Sequence, residues 1–255
     1  MTKADPRDEH ATCGGFDRRG FLRLSTAVAA TGLLAGGLGG GLAFADALTR
    51  EQRDRMTPEE ILAEMKKGNE RFRSGHALHD YRKQQKASAG GQFPAAVILS
   101  CVDSRAPAEV IMDLGIGEAF NCRIAGNIAD EDILGSMEFA CKVAGAKVVL
   151  VMGHTACGAI KGAIDNVELG NLTGLLAKIR PAVQATTFAG ERSAKNYAFV
   201  DAVARKNVEL TMALIPERSP VLRDLQAQHA IQIAGAMYNL ETAMVDFLPG
   251  AQRTG

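Results

Sequence analysis

The chain has 255 residues, 47% of them hydrophobic, which is enough for one ample core or at most two small domains. Its 29 basic and 29 acidic side chains cancel, so nucleic-acid binding has no electrostatic support and no basic block points to an anionic partner. Five cysteines are too few for a disulfide scaffold of this length, and tryptophan is absent.

Residues 1–45 do not read as fold material. The stretch "DRRGFLRLS" (Asp17–Ser25) follows paired arginines with a phenylalanine and a leucine. An uncharged run rich in alanine, glycine and leucine continues to Ala45 and ends in "AFA", with small residues at Ala43 and Ala45. The segment resembles a twin-arginine export signal. A transmembrane anchor is the other reading; the many glycines, the modest hydrophobicity and the "AFA" exit favour cleavage. The resemblance implies export in the folded state, which suits a protein that must take up a cofactor first. It also implies a periplasmic or secreted location, with no stable membrane anchor after cleavage. Cys13 would be discarded, leaving Cys101, Cys122, Cys141 and Cys157 in a nearly neutral chain. In an oxidising compartment such thiols pair unless something else holds them.

Residues 46–57 read as a short lead-in and 58–255 as a single domain, without an internal repeat. "TPEEILAEMKKGNERFRSG" opens with Thr57 as N-cap and Pro58 in the first helical position. Ile61, Leu62, Met65 and Phe72 form one stripe, and Gly75 is the stop. The polar segment through Gly90 and Gly91 reads as a loop or arm with a short helix. "FPAAVILS" (Phe93–Ser100) is solidly apolar, as in a strand buried on both faces of a parallel sheet. "EAFNCRI" (Glu118–Ile124) is a second strand, and "AGN" (Ala125–Asn127) a turn in which Gly126 permits positive φ. "DEDILGSMEFACKVAG" (Asp130–Gly145) predicts a helix with acids in its first turn and glycine at its end. "AKVVLVMG" (Ala146–Gly153) is the third strand, with a helix from about Ala156 to Ile164. Helices follow over Asp201–Leu214 and Ser219–Gln228. Ile231–Leu248 reads as a strand, a turn around Asn239–Thr242 and a second strand. The alternation predicts an α/β fold: a mostly parallel central sheet flanked by helices, with a C-terminal strand pair and an N-terminal helical arm.

Two strand ends carry the chemistry. One delivers "CVDSR" (Cys101–Arg105), the other "GHTACG" with His154 and Cys157. A disulfide, a plain salt bridge and a metal site are all open for the first alone. In a parallel sheet both ends fall at the carboxyl edge, where open α/β folds bind ligands. His-x-x-Cys at a helix start can aim both side chains at one centre. With Cys101 that makes two thiolates and an imidazole, a set that suits tetrahedral Zn²⁺. Cys122 and Cys141 read as ordinary buried small residues, or an incidental pair, rather than ligands, and His76, His79 and His229 as solvent-facing.

The stretches "GNERFRSG", "CVDSR", "GEAFNCRIAGN" and "GHTACGAI" together resemble the β-class carbonic anhydrases, over about residues 58 to 248. The resemblance implies zinc-dependent, reversible hydration of CO₂ to bicarbonate and a proton. It makes Cys101, His154 and Cys157 the ligands of one Zn²⁺ per subunit, and Asp103 and Arg105 the catalytic dyad. Gln92, Phe120, Phe139 and Gly158 match substrate-pocket positions, Phe139 standing where many members carry tyrosine. It further implies a homodimer or homotetramer with the active cleft at a subunit interface. Members with a bicarbonate-controlled switch use a tryptophan in an off-site pocket, so no such pocket is expected here.

The residues give the same scheme its physical content. Three protein ligands leave one position for water, and zinc lowers that water's pKa to supply hydroxide. An ionised Asp103 only accepts hydrogen bonds, so it would turn the hydroxide's lone pair toward CO₂. Arg105 would keep Asp103 charged and compete with zinc for it. Two other readings stay beside this one: a hydrolase of carbonyl sulfide or carbon disulfide on the same zinc site, and a non-catalytic zinc- or bicarbonate-binding protein.

Overall fold

A computed structural model describes residues 47–249; the export-signal segment predicted for residues 1–45 lies outside them. In chain order the elements are α1 (Arg50–Arg55), α2 (Pro58–Ser74), α3 (Tyr81–Ser88), β1 (Ala96–Ser100), α4 (Ala108–Ile111) and β2 (Ala119–Arg123). A 3₁₀ turn (Ala125–Asn127) leads to α5 (Glu131–Glu138), which runs into a π-helical turn (Phe139–Val143), and then to β3 (Val148–His154). Then come α6 (Gly158–Ile164), α7 (Gly170–Ala177), α8 (Arg180–Ala185), α9 (Tyr197–Arg218), α10 (Pro220–Ala227), β4 (Gln232–Tyr238) and β5 (Val245–Phe247). Among the described residues no helix is long and apolar enough to cross a membrane.

Among the described residues five strands lie in the order β2-β1-β3-β4-β5. The first four are parallel, and β5 returns antiparallel to β4. Every residue of β1 and β3 is buried, as their unbroken apolar runs require. Alternate side chains serve opposite faces. Val97, Leu99, Val149 and Val151 join Phe199, Val203 and Val208 of α9 in one core. Ala96, Ile98, Val148, Leu150 and Met152 meet Ile61 and Met65 of α2 in the other.

Helix α2 forms where the sequence placed it. Thr57 and Glu60 close a reciprocal capping box, Pro58 stands in the first turn, and Gly75 ends the helix at φ 74°. Its buried face is Ile61, Met65, Gly68 and Asn69, while Leu62 and Phe72 are half-buried. Gly68 lets the helix touch the backbone of Met112: a Cβ there would stand 1.9 Å from the Met112 carbonyl oxygen. The Asn69 amide donates to the carbonyls of Ile111 (3.1 Å) and Ala243 (2.9 Å), and its oxygen accepts from Val245 N–H (3.0 Å). One asparagine thus ties α2 to α4 and to β5.

The histidine reading needs one correction. His76 and His229 are exposed, but the His79 side chain is only 3% exposed. Its Nε2 donates to the Asp113 carbonyl (2.6 Å), and Nδ1 lies 2.8 Å from the Gln84 amide. Asp113 also takes the Arg71 guanidinium at 2.5 Å, so this histidine docks the α3 arm.

Candidate metal centre

Strands β1, β2 and β3 place a topological switch between β1 and β3, because β2 leaves β1 on one side and β3 joins it on the other. The carboxyl end of such a crevice is where open α/β sheets bind ligands. Ser100 pairs with Met152, so Cys101 and His154 leave the sheet close together there. Both are buried, at 4% and 1% exposure.

After His154 the chain turns sharply. Ala156 sits at φ 55°, a left-handed conformation that costs a residue with a Cβ about 1–2 kcal/mol. Its N–H donates to Asp201 Oδ1 of α9 at 2.8 Å. Thr155 is pinned on both sides, its N–H to the Tyr238 carbonyl (2.9 Å) and its Oγ1 accepting from Leu240 N–H (3.0 Å). Cys157 then becomes the N-cap of α6. The helix therefore begins two residues later than predicted, because Ala156 is spent on the turn.

Cys101 is fixed from another direction. Its sulfur accepts from Gly126 N–H at 3.3 Å. Gly126 has φ 70°, as the sequence suggested, and a Cβ there would stand 2.5 Å from Ile179 Cδ1. Its carbonyl accepts from Asn207 Nδ2 of α9 at 2.7 Å. The Arg123 guanidinium closes the other side, donating to the carbonyls of Cys101 (3.0 Å) and Asp103 (2.5 Å).

The ligand atoms of Cys101, His154 and Cys157 all lie within 4.8 Å of one another. The cysteines are free, their sulfurs 4.0 Å apart, roughly twice the 2.05 Å of a disulfide. Two sulfurs about 2.3 Å from a tetrahedral zinc would stand about 3.8 Å apart. His154 Nδ1 donates to the Thr155 carbonyl at 2.9 Å, which leaves Nε2 with its lone pair. That nitrogen is buried without a hydrogen-bond partner, a state that costs about 1–3 kcal/mol if nothing fills it. Spacing, tautomer and the orphaned nitrogen all fit a soft divalent cation.

The electrostatics agree. A hydrogen bond from Cys157, opposed by burial, pulls the Cys101 thiol well below its ordinary value. Cys157 shifts upward, chiefly because it gives that hydrogen bond and is buried. Two buried thiols this close repel each other once both are charged, and a cation between them is what would let both ionise. Burial opposes charge on His154, yet the Cys101 sulfur and Asp103 raise its pKa overall. Cys141, by contrast, is pushed up to about 12 by burial alone, and Cys122 is raised for the same reason; neither belongs to the cluster.

Asp103 stands beside the trio, its Oδ2 3.8 Å from His154 Nε2. Arg105 grips both carboxylate oxygens, Nε to Oδ1 at 2.9 Å and Nη2 to Oδ2 at 2.8 Å, with its own N–H to Oδ1 at 3.0 Å. Those bonds outweigh burial and hold Asp103 well below the usual carboxylate range. Of the pocket candidates, Phe120 and Phe139 meet edge-on with centroids 5.9 Å apart and line a groove along β2 with Cys122 and Ser136. Gln92 is exposed in the loop before β1, and Gly158 is exposed in the first turn of α6. The sequence reading missed Arg123, Asp201 and Asn207. Asn207 alone left a signal, a polar residue among the apolar positions Val203, Ala204 and Val208 of one helix face.

Fold and donors together define a class: an open, mostly parallel α/β protein with a cluster of metal-ligating side chains at its switch point. The chain belongs to the carbonic anhydrase family, whose model, described as carbonic anhydrase, matches residues 96–245, and its fold is that of the β class. It is 34% identical over 180 residues to carbonic anhydrase 2 of Mycobacterium tuberculosis, covering 69% of this chain and 86% of the relative. A β-carbonic anhydrase structure from Aspergillus fumigatus superposes with a TM-score of 0.59 at 25% identity, over 76% of this chain and 92% of that one. One of two tetrameric β-carbonic anhydrases from Sordaria macrospora gives 0.55 at 24% identity, over 63% and 83%.

Proposed function

We propose that this chain catalyses the reversible hydration of CO₂ to bicarbonate and a proton, with one Zn²⁺ held by Cys101, His154 and Cys157. The observation that carries the reading is the convergence of those three donor atoms within 4.8 Å, beside a carboxylate that a guanidinium grips through both oxygens. Zinc held by these three residues would act as a Lewis acid and lower the pKa of a bound water. Asp103, kept charged by Arg105, is an acceptor only. It takes the hydrogen bond of the attacking oxygen and so leaves that oxygen's lone pair facing carbon. Arg105 occupies the carboxylate and keeps it from the donor trio. Gln92, Phe120, Phe139 and Gly158 complete the substrate pocket in this reading.

The same proposal includes export through a twin-arginine signal in residues 1–45, cleavage after it, and a periplasmic or secreted domain over 58–255 without a stable membrane anchor. The support is the sequence of "DRRGFLRLS" and the "AFA" exit. Assembly as a homodimer or homotetramer is supported by the tetrameric description of the Sordaria relatives. Metal analysis paired with a CO₂-hydration assay of wild type and Asp103→Ala tests the catalytic reading. Full zinc with greatly reduced activity in the variant is expected; full activity in the variant, or a metal-free wild type, refutes it.

A further inference from the structure

We infer that α9 is the element that pre-shapes the zinc site, acting through two positioning residues, Asp201 and Asn207. This rests on the reading of Cys101, His154 and Cys157 as zinc ligands. Each of the two sulfurs is reached from α9 through a single intermediate residue. On one side Asp201 Oδ1 accepts from Ala156 N–H at 2.8 Å, and Ala156 lies between His154 and Cys157. On the other, Asn207 Nδ2 donates to the Gly126 carbonyl at 2.7 Å, while the N–H of the same glycine donates to Cys101 Sγ at 3.3 Å.

Of the two intermediates Ala156 holds a backbone conformation that needs support, whereas Gly126 adopts its own freely and depends on Asn207 only for its placement. Ala156 has φ 55° and Gly126 has φ 70°. An untethered alanine would relax toward negative φ, and the peptide that carries Cys157 would rotate with it. The carboxylate of Asp201 gives Ala156 N–H a charge-assisted partner in the strained geometry only. Asn207 is itself buried at 3% exposure, so its amide has no water to compete for it. Between the two, Val203, Ala204 and Val208 seat α9 on the sheet face that holds Cys101 and Cys157. A rigid helix docked on the core thus fixes both sulfurs, and the site does not rely on loops alone.

Neither residue touches the ligand atoms, so the test reads the site rather than turnover alone. Zinc-loaded wild type, Asp201→Ala and Asp201→Asn are challenged with a chelator and the release rate is followed. The cobalt-substituted forms are compared by their thiolate-to-metal charge-transfer bands, and the metal-free forms by their melting temperatures. Removing outer hydrogen-bond partners of metal ligands typically weakens binding about ten- to a hundredfold. Asp201→Ala is expected to release zinc faster by that factor, with altered cobalt bands. Asp201→Asn keeps the acceptor oxygen and is expected to match wild type in both. Asn207→Asp, which places a carboxylate against the Gly126 carbonyl and cannot donate to it, is expected to shift the bands as well. If Asp201→Ala does not fold, Asp201→Ser, one atom too short to reach Ala156, replaces it. A loaded wild type with equally retentive, spectrally unchanged Asp201→Ala or →Ser overturns the positioning role alone. A wild type that takes up neither zinc nor cobalt overturns the underlying assignment of the site.

Discussion

Gly153→Ala is the substitution whose consequence can be worked furthest. Gly153 precedes His154 in β3 and faces α9. A Cβ there would stand 2.7 Å from Val208 Cγ2 and 2.8 Å from Met237 Sδ. Gly235 on the neighbouring strand leaves the other Val208 methyl the same room, with a would-be contact of 2.9 Å to Cγ1. Val208 is therefore nested over two glycines. Carbon atoms in ordinary contact stand about 3.5–4.0 Å apart, so the new methyl overlaps Val208 by roughly 1 Å. Overpacking of this kind costs about 1–3 kcal/mol; we expect about 2. Val208→Ala alone deletes two buried methyl groups at about 0.8 kcal/mol each plus a cavity contribution, roughly 2 kcal/mol. In the double variant the new methyl fills the vacated space. Its loss should be about 2 kcal/mol rather than the additive 4, a coupling of about 2 kcal/mol. Denaturant unfolding of all four proteins, zinc-loaded and zinc-free, measures this directly. In melting temperature each single loss corresponds to about 4–8 °C. Hydration activity should fall in Gly153→Ala and recover in the double variant, because α9 returns to its seat. Additivity within about 0.5 kcal/mol would refute the reasoning.

Two helical glycines should behave oppositely. Gly68→Ala drives a Cβ to 1.9 Å from a backbone carbonyl and should lose 2 kcal/mol or more, on the order of severe overpacking. Gly135→Ala in α5 meets nothing within 4 Å and should gain about 0.5–1 kcal/mol; unfolding midpoints check both. Stripping the metal and adding oxidised glutathione should join Cys101 to Cys157, because their free sulfurs lie 4.0 Å apart with no other cysteine in the cluster; peptide mapping that finds both thiols free counts against it. Two thiolates cancel the metal's charge where neutral imidazoles would not, so hydration activity should rise with pH through an apparent pKa above about 7. A flat profile from about pH 6.5 to 9 contradicts that.

Much of the architecture was legible where local chemistry decides. Thr57, Pro58 and Gly75 marked α2 because caps act within a few residues, and "AAVILS" marked β1 because a strand buried on both faces has no polar side to show. The donor trio was legible because each member closes a strand or opens a helix. Illegible features depend on partners distant in the chain. His79 reads as polar arm until Asp113 arrives to accept from it. The helix predicted over 130–145 is interrupted by the π turn at Phe139–Val143, which leaves no mark in composition. Helix α9 continues past Leu214 with Pro216 in its last turn, beyond where a proline-based reading stops. Helices α7 and α8 carry glycines and a proline that masked them. Arg123 and Asp201 serve backbone groups, and backbone groups carry no sequence signature.

His154 and Cys157 come from one short span of chain, whereas Cys101 must be brought in by the pairing of β1 with β3. An ion met by the unfolded polypeptide therefore finds only a two-point hook and escapes. Capture becomes durable only after the central strands have zipped together, so metal occupancy is a record that the sheet has already been built.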